Sequence, residues 1–149
     1  MTYAGIDPGQ TGALVEIGAD GHTVVRWVEW RRERVPPDGV LADLSAEVVA
    51  VEAPYVGPGA RASLTLAEWT GRLLAQMPAG PTVVRPTAAQ WRPKVLRASP
   101  GRVEAKALAL RAAASCGLVG VSDHVAEAWC LARYAWGWDQ AGRPEVTRG

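Results

Sequence analysis

Apolar positions in the first thirty residues fall into three short runs of the kind that forms β-strands. The first run covers 3–6 and ends at Asp7, the second alternates along 12–18, and the third, at 22–30, is rich in β-branched and aromatic residues. Short segments rich in Gly, Pro and Asp separate the runs. The pattern therefore predicts three strands joined by tight turns.

Two further strand patterns lie between stretches with helical periodicity. A continuous apolar run at 47–52 closes with a carboxylate and is typical of a buried central strand, while 81–85 predicts a short fifth strand. Helices are predicted at 36–44, 60–77, 102–116 and 122–138, with a further short helix around Trp91 that Thr87 caps and Pro93 limits.

This order of elements predicts an α/β fold, in which a mixed five-stranded sheet is flanked by helices on both faces. We expect one domain over 1–138, followed by a polar and mobile segment at 139–149. In the long helix at 60–77, Leu64, Ala67 and Leu74 share one helix face, which we expect to be buried.

Length and composition indicate a globular protein without a membrane-spanning helix. A length of 149 residues, with 48% of them apolar, suits one globular domain with a substantial core. No stretch approaches the ~20 apolar residues that a membrane helix needs. The N-terminus lacks the basic-then-apolar pattern of a signal peptide, so we expect a cytoplasmic protein. Cys116 and Cys130 form neither a zinc motif nor a disulfide framework, and we expect both to be small core residues.

The charges are segregated along the chain, although the net charge is only +1. Residues 1–52 carry four Lys and Arg against nine Asp and Glu, whereas 53–122 carry nine against two. A compact domain with this distribution is expected to place an acidic cluster beside a basic surface. Such a layout suits a polyanion that is held through metal ions.

Carboxylates stand where two predicted central strands end. If the strands that end at Asp7 and Glu52 are parallel neighbours, both side chains leave the same edge of the sheet. The last predicted helix begins with Asp123, His124 and Glu127, which offers two candidate pairs on one helix face, His124 with Glu127 or Asp123 with Glu127. Asp7 also has a simpler interpretation as a turn residue before Pro-Gly, and Asp123 as a helix cap.

Several acids at one point repel each other unless cations neutralise them. Carboxylate oxygens with an open edge suit Mg²⁺ or Mn²⁺, and two such ions can activate a water and stabilise the leaving oxygen of a phosphodiester. The sequence has no Walker loop, Ser-His-Asp order or Cys-rich zinc pattern that would compete with this hypothesis.

Three motifs carry a resemblance to a known family. GIDPG contains Asp7, VEAPY contains Glu52, and DHVAEAWCLARYA opens the last helix. In this order and spacing, the chain resembles the RuvC-type Holliday-junction resolvases of the RNase H-like superfamily over about residues 3–136. Actin-like ATPases and sugar kinases share the first motif, but they need two such domains. The short chain suggests a viral or otherwise minimal version.

The resemblance implies an RNase H-like fold and a homodimeric endonuclease that cuts four-way and other branched DNA, leaving 5′-phosphate and 3′-hydroxyl ends. It implies that two Mg²⁺ or Mn²⁺ ions are bound by Asp7, Glu52, His124 and Glu127, where Glu127 replaces the usual Asp. His124 would bind metal or assist proton transfer, and Tyr55 would stack on bases of the opened junction.

DNA phosphates are expected at basic residues of the middle segment, with Lys106 nearest to the chemistry by similarity to the family. These residues are Arg61, Arg72, Lys94, Arg97, Arg102 and Lys106. Trp69, in the long helix, is predicted to belong either to the core or to the dimer interface. Two other functions remain open, namely an RNase H-like nuclease acting on RNA–DNA hybrids or flaps, and a non-catalytic junction-binding protein.

Overall fold

A computed structural model describes residues 1–54, 60–97 and 101–142. The five strands are β1 (Tyr3–Asp7), β2 (Gly12–Ile17), β3 (Val24–Trp30), β4 (Val48–Val51) and β5 (Thr82–Val84). The four helices are α1 (Ala60–Ala75), α2 (Ala88–Leu96), α3 (Arg102–Ala114) and α4 (Asp123–Gln140). Within these described ranges, no helix is both long and apolar enough to cross a membrane.

The strands form one mixed sheet in the order β3-β2-β1-β4-β5. The β1–β2 and β2–β3 pairs are antiparallel, because short turns can only return the chain alongside itself. The β1–β4 and β4–β5 pairs are parallel, and α1 lies in the crossover between β4 and β5. The sequence prediction of a mixed five-stranded sheet is therefore confirmed.

Both faces of the central strands are buried, which explains their continuous apolar character. Alternate residues of β1 enter different cores, with Tyr3 facing the core that includes α4 and Ile6 facing the core that includes Trp69 of α1. Helices therefore cover both faces of the sheet, as predicted.

Helix α4 packs backbone to backbone on β1, and Gly5 makes this possible. A Cβ atom on Gly5 would lie 2.0 Å from the carbonyl oxygen of Ala128 and 2.2 Å from the amide nitrogen of Ala132. Only a residue without a side chain allows so close an approach. The contact fixes the height of α4 above the strand that ends at Asp7.

Helix α1 buries only part of the predicted face, because Leu74 packs against the core and Leu64 does not. Leu64 is 63% exposed, whereas Trp69 and Leu73 are buried and Trp69 stacks on Trp30 with ring centroids 5.5 Å apart. The indole nitrogen of Trp69 also donates to the carbonyl of Glu33 at 3.2 Å. The large Trp69 ring sets the orientation of the helix, and the possible role of Trp69 in a dimer interface is wrong because the side chain is only 2% exposed.

The structure differs from the sequence predictions at residues 36–44 and in the extent of α2. No helix forms at 36–44, because Gly39 adopts a left-handed φ of +79°. Residues 38–43 form successive turns, and their amides donate to the carbonyl three residues earlier, as from Ala42 to Gly39. Helix α2 continues past Pro93, its sixth residue, to Leu96.

Helix α4 ends at Gln140, two residues beyond the predicted domain boundary. The hydroxyl of buried Tyr3 donates to Asp139 at 2.8 Å, which ties this last turn to the first strand. Residues 143–149, the rest of the predicted mobile segment, lie outside the described ranges.

The Trp30–Trp69 stack yields a stability prediction. Trp69→Ala should lower the free energy of unfolding by about 3–5 kcal/mol, because it opens a cavity and removes the stacking partner of Trp30. Trp27→Ala is the matched control, since Trp27 is 44% exposed and should cost about 1 kcal/mol or less. Urea unfolding measures both, and similar losses for the two variants would contradict the core assignment of Trp69.

Candidate active site

Two carboxylates leave the sheet at the same edge. Asp7 is the last residue of β1, and Glu52 follows the last residue of the parallel neighbour β4. Ile6 lies opposite Val51 in this pair, and the amide of Glu52 donates to the carbonyl of Ile6 at 3.3 Å. The backbone register therefore brings the two acids together, as the sequence predicted.

The N-terminus of α4 reaches the same edge. Ser122 is the cap, since its hydroxyl accepts a hydrogen bond from the amide of Val125 at 3.3 Å, and Asp123 is the first helical residue. The first turn of the helix brings His124 and Glu127 into a cleft with Asp7. Asp123 does not line this cleft and instead forms an ion pair with Lys106. Of the two candidate pairs, His124 with Glu127 is the one found beside the strand-end acids.

The cleft has a volume of about 450 Å³. Its ionisable lining residues are Asp7, Glu52, Arg92, Arg102, Lys106, His124 and Glu127. Nδ1 of His124 lies 2.7 Å from Oδ2 of Asp7, within hydrogen-bond distance. Asp7 and Glu127 are 8% and 7% exposed, so their charges are largely removed from water.

Burial and mutual repulsion shift the protonation of the acids. Burial raises the pKa of Glu52 to about 7, and the negative charges of Asp7 and Glu127 add to the effect. The pKa of Glu127 also rises to about 7, mainly through burial and then through the charge of Asp7. Burial raises the pKa of Asp7 as well, and the hydrogen bond to Asp7 raises that of His124. The acids of the cluster therefore need nearby positive charge to stay ionised at neutral pH.

Arg92 supplies part of that charge, and the sequence reasoning missed it. Its terminal nitrogen lies 3.7 Å from Oε1 of Glu127. The Nε atom of Arg92 and Oε1 of Glu127 are both buried without a hydrogen-bond partner. The sequence did offer one indication of Arg92, because this arginine lies in the basic segment and directly follows Trp91. In the structure, Trp91 is fully buried and fixes the helix against the core.

The predicted DNA-binding residues occupy different places. Lys106, which was predicted to lie nearest to the chemistry, lines the cleft, and so does Arg102. Arg72 lies outside the cleft and pairs with Glu68 at 2.7 Å on the surface of α1. Lys94 lines a second pocket beside the C-terminal half of α4.

The remaining three residues of the predicted DNA contact fall into two groups. Arg97 lines the second pocket together with Lys94. Tyr55 lies outside the described residues, and so does the side chain of Arg61, whose backbone belongs to α1. The stacking role of Tyr55 and the phosphate contact of Arg61 stay predictions.

The donor set fits a hard divalent cation. Three carboxylates share one cleft, and oxygen ligands are those that Mg²⁺ and Mn²⁺ prefer. The Oε1 atom of Glu127 is buried and accepts no hydrogen bond, although Arg92 lies 3.7 Å away, so a bound cation would give this oxygen a close partner. In the described part of the chain, no three His, Cys, Asp or Glu side chains already converge as a metal cluster. The Asp7 carboxylate is instead held in its hydrogen bond with His124.

The raised pKa values predict that the metal-free protein loses stability as pH rises. Glu52 and Glu127 bind protons in the folded state up to about pH 7, whereas the unfolded chain releases them near the ordinary value of 4.5. The folded state therefore holds more protons in this interval, so the free energy of unfolding should fall between pH 5 and pH 8 by about 1–3 kcal/mol. Urea unfolding in EDTA measures this slope.

Glu127→Gln should flatten the pH dependence, and Mn²⁺ should restore stability at pH 8 because it neutralises the acids. Glu33→Gln changes an exposed carboxylate elsewhere and should leave the slope as it is. A stability that rises from pH 5 to pH 8 in EDTA would contradict the description of the cluster.

Comparison with known proteins adds a fold relationship. No protein-family model and no curated protein sequence matches the chain. Among solved structures it is similar to RuvC of Thermus thermophilus in complex with a Holliday junction substrate, with a TM-score of 0.69 and 18% identity over 96% of this chain and 98% of that chain. A second Thermus thermophilus RuvC structure gives a TM-score of 0.68 at 18% identity. At this identity the similarity shows the fold, and the predicted RNase H-like fold of RuvC type is confirmed.

Proposed function

We propose that this chain, which has the RuvC fold, is a metal-dependent endonuclease that cuts four-way junctions and related branched DNA. The observation that carries the proposal is that Asp7, Glu52, His124 and Glu127 all line one cleft at the edge of the sheet. The likeness to a RuvC that was determined with a Holliday junction substrate supports the substrate class.

The strand-end acids and Glu127 are the residues that would hold metal. When bound, one or two Mg²⁺ or Mn²⁺ ions supply charge stabilisation and a water of lowered pKa for phosphodiester hydrolysis. Asp7 and Glu52 are fixed by the backbone of β1 and β4, which makes them rigid donors. Glu127, on α4, approaches from the other side of the cleft, where it shares the space with Arg92.

His124 is suited to orient an acid and to handle a proton. Its Nδ1 atom contacts Asp7, which leaves Nε2 to bind a cation or to give a proton to the leaving 3′-oxygen. The hydrogen bond to Asp7 raises the pKa of His124, so the protonated form persists nearer to neutral pH.

Cations surround the cleft and suit a phosphate backbone. Lys106, Arg102 and Arg92 line it on the helices α3 and α2. Asp123 pairs with Lys106 and holds the lysine near the start of α4. A DNA phosphate could replace Asp123 as the partner of this lysine. We assign these three residues to the strand that is cut, and Tyr55 and Arg61 to neighbouring DNA.

Paired cuts in a four-way junction require two active sites. We therefore propose that the chain works as a homodimer and leaves 5′-phosphate and 3′-hydroxyl ends on each cut strand. Sedimentation of the protein with and without junction DNA measures the assembly.

The decisive experiment compares four substrates, namely a synthetic four-way junction, a matched duplex, a flap and an RNA–DNA hybrid. Each is incubated with Mg²⁺, Mn²⁺ or EDTA. We expect symmetric nicks in the junction, dependence on the divalent ion, and little cutting of duplex. Cutting of hybrid or flap in place of the junction would keep the active site and overturn its substrate. Junction binding without any cutting would overturn the catalytic role.

A further inference from the structure

A second pocket of about 360 Å³ lies between α2 and the C-terminal half of α4. We call it the aromatic pocket, and its lining residues are Lys94, Val95, Arg97, Arg133, Tyr134, Trp136, Gly137, Trp138 and Ala141. Three aromatic side chains and three cations thus share one concave surface. Two of the cations lie over rings, Lys94 at 5.3 Å from the centroid of Tyr134 and Arg133 at 4.6 Å from that of Trp136.

The described lining of the aromatic pocket is cationic. No Asp or Glu is among its lining residues. Within the described residues, Lys94, Arg97 and Arg133 form no ion pair, whereas Lys106, Arg92 and Arg72 each have a carboxylate partner. Three unpaired cations around one cavity create a positive potential that an anion would neutralise.

The aromatic pocket and the catalytic cleft lie along the same stripe of α4. Tyr134 and Trp138 follow Glu127 by seven and eleven residues, close to two and three helical turns, so the three side chains share one face. At ~1.5 Å per residue the aromatic residues lie about 10–16 Å along the helix from Glu127.

Helix α2 runs beside this stripe and links the two sites. Arg92 approaches Glu127 in the cleft, and Lys94, two residues later, approaches Tyr134 in the aromatic pocket. A strand that leaves the cleft in this direction would meet the pocket after about three to five nucleotides, at the ~3.4 Å rise of a duplex strand.

We propose that the aromatic pocket binds a nucleotide of the strand held in the catalytic cleft, about three to five positions from the cut phosphate. The base lies against the aromatic side chains, and the phosphate binds Lys94 and Arg97. This inference rests on the proposed action on DNA. It adds a site that binds an unpaired or unstacked base a few nucleotides from the cut phosphate.

Two of the pocket residues also stabilise the fold, so substituting them would not test nucleotide binding alone. Arg133 donates to the carbonyl of Gly21 at 2.8 Å, and the indole nitrogen of Trp136 donates to the carbonyl of Ala19 at 3.1 Å, so both brace the turn between β2 and β3. Within the described part of the chain, neither Tyr134 nor Lys94 donates a side-chain hydrogen bond to a backbone carbonyl, and Lys94 is exposed. Tyr134→Leu and Lys94→Gln are therefore the informative variants.

The experiment measures fluorescence anisotropy of two labelled oligonucleotides in EDTA, which prevents cleavage. One is a twelve-residue oligothymidylate, and the other has the same phosphates but abasic sugars. We expect the wild-type protein to bind the first at least about fivefold more tightly, because stacking needs a base. Tyr134→Leu should remove this difference, and Lys94→Gln should weaken binding of both probes. Arg31→Gln, which removes an exposed cation at the end of β3, should change neither.

The outcomes separate the pocket from the proposed function. If both pocket variants bind the oligonucleotides as the wild-type protein does and the junction is still cut, the nucleotide site is wrong and the proposed endonuclease stands. Base-dependent binding that Tyr134→Leu abolishes, without cleavage of any junction, would support the pocket and overturn the endonuclease. Equal binding of the two probes by the wild-type protein would overturn the stacking site. Thermal unfolding verifies that the variants are folded, and Lys94→Gln keeps the test valid should Tyr134→Leu fail to fold.

Discussion

Asp7→Asn is expected to reduce junction cleavage at least about 1,000-fold while junction binding persists. Asn keeps the shape of the side chain and a hydrogen-bonding atom for His124, but it removes the negative charge at the end of β1. A loss of about 4 kcal/mol of transition-state stabilisation, which one metal contact can supply, corresponds to this factor. Cleavage rates at saturating Mn²⁺ and gel-shift affinities in EDTA measure the two effects.

Asp43→Asn is the matched control for this substitution. Asp43 is an exposed aspartate in the turns before β4, so the same chemical change should leave cleavage within about twofold of the wild-type rate. Cleavage retained by the Asp7 variant would remove Asp7 from the active site. A simultaneous loss of binding and of the folded state would indicate a structural role for Asp7 and leave its metal role unsupported.

Gly5→Ala should lower the free energy of unfolding by about 3 kcal/mol or more. The added methyl group would lie 2.0 Å from the carbonyl oxygen of Ala128, which belongs to a helix backbone and cannot rotate away. Helix α4 must then move off β1, and Glu127 moves with it, so cleavage should also fall in the molecules that remain folded. Urea unfolding and the specific activity of the folded fraction measure both losses.

Gly71→Ala provides the control, because an added Cβ at Gly71 meets no atom within 4 Å. In the middle of α1, alanine should raise the free energy of unfolding by about 0.5–1 kcal/mol. If both alanine variants were equally stable, the close packing of α4 on β1 would be incorrect. Opposite signs would show that the effect belongs to the contact and not to the loss of a glycine.

The sheet and the strand-end acids were predictable because their signals are local. A continuous apolar run that closes with a carboxylate marks a buried strand end, and the register of β1 with β4 then places Asp7 beside Glu52. The wrong helix at 36–44 has a local cause as well. The prediction relied on Pro36-Pro37-Asp38 as a helix start and gave too little weight to Gly39, which adopts a left-handed conformation.

Other features depend on contacts between distant residues. The buried face of α1 follows from the stack of Trp69 on Trp30, which are 39 positions apart in the sequence, and no helical pattern contains that pairing. Arg92 was missed for the same reason, because its proximity to Glu127 arises only when α2 packs beside α4. The choice between Asp123 and His124 likewise needed the ion pair that draws Asp123 to Lys106.

The placement of α4 on β1 has a consequence for the protein during its own synthesis. Asp7 and Glu52 leave the ribosome early, but the helix that carries His124 and Glu127 is made after every strand of the sheet. Until then, β1 lacks the cover for one of its faces, and the apolar surface around Gly5 is open to other chains. The proposed active site is therefore incomplete until α4 emerges, and in that interval the nascent chain exposes apolar surface that α4 later covers.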